Sequence, residues 1–148
     1  MRDRLSSVHG VLALALVTLL AAGGLAWGQS APTPSASLDQ ILMEVASYDG
    51  GIDSAALWKL RDYVRARRDD PGGRAECEAK LLRFLSGPAT PAARMAAARH
   101  LRIVAGDSAV ASLQRMLTDG RVNDMALYAL QQIPGAAADK ALLQALSA

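Results

Sequence analysis

The side chains able to do chemistry are few and far apart. His100 and His9 are the only histidines and Cys77 is the only cysteine. A bound metal or haem needs several such ligands at close spacing. No HExxH, CxxC or CxxCH pattern occurs, so the sequence supports no metal and no cofactor. Cys77 has no partner histidine in a recognisable motif, and a lone cysteine cannot close an intrachain disulfide. It reads as a small, half-buried apolar residue. His100 adjoins Leu101 at the edge of an apolar face and reads as a packed or solvated histidine.

The remaining reactive types find structural explanations. Ser54, Ser86, Ser108 and Ser112 lack a GxSxG setting and are expected at helix starts or on exposed turns, where capping accounts for most of them. The pairs Gly23-Gly24, Gly50-Gly51 and Gly72-Gly73 are not followed by the lysine and hydroxyl residue of a phosphate loop, and they read as helix breakers. Glu76 and Glu78, and likewise Asp69 and Asp70, are expected to be solvated. The basic run Arg61, Arg65, Arg67 and Arg68 is interleaved with Asp62, Asp69 and Asp70, which favours a salt-bridged outer face over an anion site. No catalytic residue is predicted, and the chain reads as non-enzymatic.

The elements that would carry these residues begin after an apolar leader. Arg2 and Arg4 precede the run Val11 to Ala22, and Ala26-Trp27-Gly28 forms a small-x-small site, the order of a secretory signal peptide over residues 1–28. An uncleaved leader would instead anchor the protein to a membrane, since Val11 to Trp27 is about the shortest span that could cross one. Removing the leader takes away Arg2, Arg4 and Asp3, leaving fourteen basic against thirteen acidic residues. A near-neutral exported protein is the expectation, periplasmic or secreted, with no nucleic-acid partner, which would require a basic face.

Residues 29–36 (QSAPTPSA) read as a flexible linker. From residue 37 to residue 148 the apolar spacing is helical throughout. Ser37 with Gln40 forms a capping-box pattern before Leu38, Ile41, Leu42 and Val45. Asp53 or Ser54 caps a second helix carrying Leu57, Leu60, Tyr63 and Val64. Asp69-Asp70-Pro71-Gly72-Gly73 is expected to end it, and a third helix then runs from about Arg74 to Leu85, with Glu78, Leu81, Leu82 and Leu85 in line. Thr90 and Pro91 open a fourth, which ends with Gly106 at the C′ position. Three more come after it, at about Ser108–Leu117, Val122–Ile133 and Ala138–Leu146. The expectation is an all-α protein of about seven helices, antiparallel neighbours joined by short loops.

The helices repeat. At a shift of twenty-nine, Ala97, Leu101, Val104, Gly106, Ala109, Leu113 and Leu117 fall on Ala126, Leu130, Ile133, Gly135, Ala138, Leu142 and Leu146. Leu81-Leu82-Arg83-Phe84-Leu85 matches Leu113-Gln114-Arg115-Met116-Leu117 at a shift of thirty-two. Such periods mark stacked supersecondary units, here a short α-solenoid of helix pairs. With Thr90-Pro91-Ala92-Ala93, Ala109 to Leu117 and Asp124 to Ile133 as matching stretches, Tyr48 to Ala148 resembles the HEAT-repeat proteins, in particular the short type grouped with phycobilisome-lyase-like repeats. The resemblance implies a surface that holds a protein or peptide on its concave face; the group's name also suggests a lyase-like enzyme or enzyme accessory.

The binding face is set by the register. With Ala97, Leu101 and Val104 buried, and about 100° per residue, Met95, Arg99 and Arg102 point the other way. Their equivalents one repeat later are Asp124, Tyr128 and Gln131. Stacked repeats turn equivalent positions into a ladder, so these six residues are the candidate partner-binding site, with Arg and Tyr among the types enriched at binding hot spots. The last helix, 138–146, sets only Asp139, Lys140 and Gln144 against six apolar residues. It is a poor terminal cap and a candidate for self-association.

Overall fold

The computed structural model describes residues 36–51 and 54–147. The expected signal peptide, the linker other than Ala36, and the capping alternative Asp53 lie outside the described residues. Among these there are seven helices and no strand: α1 (Leu38–Val45), α2 (Ala55–Ala66), α3 (Pro71–Ser86), α4 (Pro91–Val104), α5 (Asp107–Met116), α6 (Asn123–Gln132) and α7 (Ala136–Leu146). None is long and apolar enough to cross a membrane.

Local chemistry sets most of the starts. Ser37 Oγ accepts from the Gln40 N–H at 3.3 Å while Gln40 Oε1 takes the Ser37 N–H at 2.9 Å, so the expected capping box is formed. Ser54 caps α2 through the Leu57 N–H at 3.4 Å, and Thr90 caps α4 through the Ala93 N–H at 3.1 Å with Pro91 in the first turn.

One expectation about helix ends is corrected. The stretch at residues 70–73 opens α3 and is not a spacer before it. Asp70 is the N-cap, its carboxylate taking the Gly72 and Gly73 N–H groups at 3.2 and 2.9 Å, and Pro71 stands where a missing N–H costs nothing. Gly106 follows the Ala105 C-cap of α4, the C′ position expected for it, and is at the same time the N-cap of α5 with φ −139°, whereas Gly135, its repeat equivalent, has φ +127° before α7. Ser86 is the last residue of α3 and Ser112 lies inside α5, and neither caps a helix start.

The helices stack in two layers. Neighbours in sequence pack as α1 on α2, α3 on α4, α5 on α6 and α6 on α7. Within one layer α1 meets α3, α3 meets α5 and α5 meets α7; within the other α2 meets α4 and α4 meets α6. This is a short all-α solenoid. Its core holds Leu60, Leu81, Leu85, Leu101, Leu113 and Leu130, all fully buried, with small residues between them. The central helix α4 touches α2, α3 and α6, and it buries Ala93, Ala96, Ala97 and Ala98, whose size lets three neighbours approach. On α3 the buried line is Cys77, Leu81 and Leu85; Leu82 and Glu78, expected on it, are only half buried.

Contacts across the turns lock the layers. Thr90 donates its N–H to the Ala46 carbonyl at 3.0 Å and its hydroxyl to the Tyr48 carbonyl, joining the first loop to the start of α4. Lys80 on α3 holds Asp39 of α1 at 2.7 Å and Glu76 at 2.8 Å. These hydrogen bonds hold the Lys80 ammonium well above its usual range.

Candidate functional surface

The six residues of the ladder lie on α4 and α6, which pack side by side. Arg99, Arg102, Asp124 and Gln131 are exposed, and Met95 and Tyr128 are half buried with their apolar parts against the core. They therefore share the outward face of the layer built from α2, α4 and α6.

The structure adds α2 to this face. Its buried residues Ala56, Leu60 and Val64 take the places that Ala93, Ala97 and Leu101 take in α4, a shift of thirty-seven. At the same shift Trp58 takes the place of Met95, Asp62 that of Arg99 and Arg65 that of Arg102, on two helices that pack together. Trp58 is 53% exposed, and the Arg61 guanidinium lies 4.3 Å from its ring centroid, a cation–π contact.

Expected ion pairing on α2 is only part of the arrangement. Arg61 pairs with Asp62 at 2.8 Å and Arg68 with Asp69 at 3.2 Å. Asp70 is committed to capping α3 and pairs with neither, and Arg67 stacks on Tyr63, 3.4 Å from its centroid. Arg65 has no ion pair among the described residues, nor do Arg99 and Arg102. Sequence reading missed Arg65 and Trp58 as members of this face. The signal was faint, because the α2 to α4 shift differs from the later period.

His100 sits where α4 meets α2. Burial pushes its pKa down from 6.5 to about 4, and the nearby charges of Arg65, Arg102, Arg61 and Arg99 push the same way. The imidazole is therefore neutral at physiological pH, and the face around it is electropositive. Cys77 is fully buried, and its thiol is pushed up chiefly by that burial, so it is held as an unreactive thiol.

The carboxylate expected in solvent on α3 does more than solvate. Glu78 receives the Gly106 N–H at 3.1 Å and the Ser108 hydroxyl at 2.6 Å. It caps α5 from another helix, and the serine is held there as a structural partner. Two open grooves lie in the odd-numbered layer. One of about 420 Å³ is lined by Leu82, Arg83, Ser86, Ser112, Arg115, Met116 and Asp119. The other, about 290 Å³, includes Leu42, Met43, Phe84 and Lys80. Neither contains His100, Cys77 or any residue of the ladder.

Among the described residues no polar or charged residue is buried, and no group of His, Cys, Asp and Glu is placed to hold a metal ion. Compared with protein-family models, with curated proteins and with solved structures, the chain gave no match.

Proposed function

We propose that this protein is a non-enzymatic binding scaffold of the HEAT-repeat kind, exported to the cell envelope or beyond, that holds a protein or peptide on the outward face of α2, α4 and α6. One observation carries the reading. Arg99 and Arg102 on α4 are exposed with no ion pair among the described residues, and the amphipathic Tyr128 holds the position of Arg99 one repeat later on the neighbouring α6, a combination typical of binding hot spots. The leader at residues 1–28 supports export. The test is affinity capture with the full chain from an envelope fraction. Arg99→Glu combined with Tyr128→Ala should lose the partner that the parent chain retains, and equal capture would sink the face.

A second reading concerns the apolar face of α6 and α7, and its occupant is a second copy of the chain. Leu127 is 41% exposed although its repeat equivalent Ala98 is fully buried, and Leu143 and Leu146 are 66% and 85% exposed. These leucines form an exposed apolar face on α6 and α7. The α1–α2 pair is tied by the exposed Lys59–Glu44 ion pair at 2.7 Å. Head-to-tail stacking would bury that pair, whereas two leucine faces meeting about a twofold axis would not. Light scattering should show a dimer that Leu143→Gln with Leu146→Gln converts to a monomer. A parent chain that stays monomeric at high concentration would refute it.

A further inference from the structure

The chemistry of the partner can be taken further, resting on the scaffold reading and its face. We infer that the α2–α4 half of the face takes an acidic, carboxylate-rich segment of the partner, and that the α6 half takes an adjoining segment that is apolar or basic. The first half carries four arginines on two helices that pack together: Arg61 and Arg65 one turn apart on α2, and Arg99 and Arg102 on α4. Lys59, Lys80, Arg68 and Arg121 each have a carboxylate within 4.0 Å, and the exposed Arg83 and Arg115 of the other layer have none among the described residues. Here Arg65, Arg99 and Arg102 have none among the described residues, and the single acidic neighbour in the group, Asp62, is engaged by Arg61.

Unpaired like charges at such spacing repel one another. A ligand that supplies carboxylates removes the repulsion and meets each planar guanidinium fork with two hydrogen bonds. Arg is suited to the role because it is weakly hydrated and always charged.

The face also says where the acidic segment stops. Ladder positions that hold Trp58 and Met95 hold Asp124 on α6, and the one that holds Arg99 holds Tyr128. A continuous polyanion, nucleic acid or membrane, would meet Asp124 and lose attraction there. A peptide can place carboxylates over α2 and α4 and apolar or basic residues over Tyr128 and Asp124. Packed helices lie about 8–10 Å apart, and an extended chain advances about 3.3–3.6 Å per residue. Acidic residues spaced two or three apart in an extended segment therefore match the spacing of packed helices such as α2 and α4.

Fluorescence anisotropy with the full chain tests this. The probe is a labelled peptide carrying four glutamates at every second position, then a tyrosine and a lysine. A glutamine version, a short oligothymidylate and phosphatidylglycerol vesicles are compared with it. The glutamate peptide should bind at least about tenfold tighter than the glutamine peptide and weaken as salt rises. Arg65→Gln, Arg99→Gln and Arg102→Gln together should cost at least about tenfold, while Arg83→Gln on the other layer changes nothing. Equal binding of the glutamine peptide, no loss in the triple variant, or tighter binding of the oligonucleotide or vesicles would each overturn the inference. The two readings separate in envelope capture. A partner lost by Tyr128→Ala but kept by the triple variant leaves the scaffold face standing and removes the acidic segment; a partner kept by both removes the face itself.

Discussion

Arg74 and Glu78, one turn apart on α3, hold opposite sides of the same turn between α4 and α5. Arg74 donates from Nε to the Val104 carbonyl at 2.8 Å and from Nη2 to the Ala105 carbonyl at 3.2 Å. Glu78 accepts from the Gly106 N–H and the Ser108 hydroxyl. A cation thus meets the end of α4 and an anion the start of α5, each matching the local helix dipole. One helix of a repeat thereby sets the geometry of the turn that starts the next. Arg74→Ala and Glu78→Gln should each destabilise by about 1–2 kcal/mol in urea unfolding. Because both act on one turn, their double variant should depart from additivity by at least about 0.5 kcal/mol. Additive losses would mean that the two contacts act independently.

The glycines after Asp70 should respond oppositely to alanine. At Gly72 an added Cβ would find only Asp70 Oδ1 at 3.8 Å, so Gly72→Ala should stabilise by about 0.5–1 kcal/mol through helix propensity. At Gly73 the Cβ would come within 2.6 Å of Asp70 Oδ2 and 3.0 Å of Arg67 Cγ, displacing the cap. Gly73→Ala should cost about 1 kcal/mol. The two melting temperatures should bracket that of the parent chain, and the same shift in both would contradict the capping geometry.

His100 should make the fold acid-sensitive. Its folded pKa of about 4 lies below its ordinary 6.5, so the unfolded chain binds the proton first. Stability is then complete above about pH 6.5 and falls as pH drops toward 4, by about 2 kcal/mol once discounted for partial exposure. His100→Gln should flatten that slope in unfolding measured between pH 7 and pH 4. An NMR titration of the imidazole with a midpoint near 6.5 would contradict the burial argument.

The unpaired arginines should trade stability for binding. Arg99 and Arg102 lie three apart on one face of α4, so Arg99→Gln should stabilise the free protein by about 0.2–0.5 kcal/mol. High salt should erase the gain by screening the repulsion. Thermal melts at low and high salt give the comparison, and a destabilised variant would show that Arg99 is structural.

Position in the array should govern the cost of equivalent leucines. Leu113 is fully buried in α5, and its equivalent Leu142 in α7 is half buried. Leu113→Ala should cost about 2–5 kcal/mol and Leu142→Ala about 1 kcal/mol. Similar losses at both would mean that the α7 end is covered in solution, as the self-association reading requires.

Helical identity is legible in the sequence because it depends on local spacing. Apolar residues three and four apart, with Ser37, Ser54 and Thr90 as caps, place seven helices, and the shift of twenty-nine assigns Leu101 and Leu130 to the core. The outward direction of Arg99 and Tyr128 comes from the same period.

What crosses between helices was decided by the tertiary structure. Asp70-Pro71-Gly72-Gly73 can close one helix or open another by composition alone, and only the direction of the Asp70 carboxylate settles it. Glu78 reaches Gly106 across 28 residues, and no local pattern carries that pairing. Arg65 joins Arg102 because α2 packs on α4, yet the intervening α3 and its loops stretch the shift to thirty-seven and hide the equivalence. Periodicity specifies which side of a helix is buried; which charges then become neighbours depends on packing, and packing brings together residues that lie far apart in the chain.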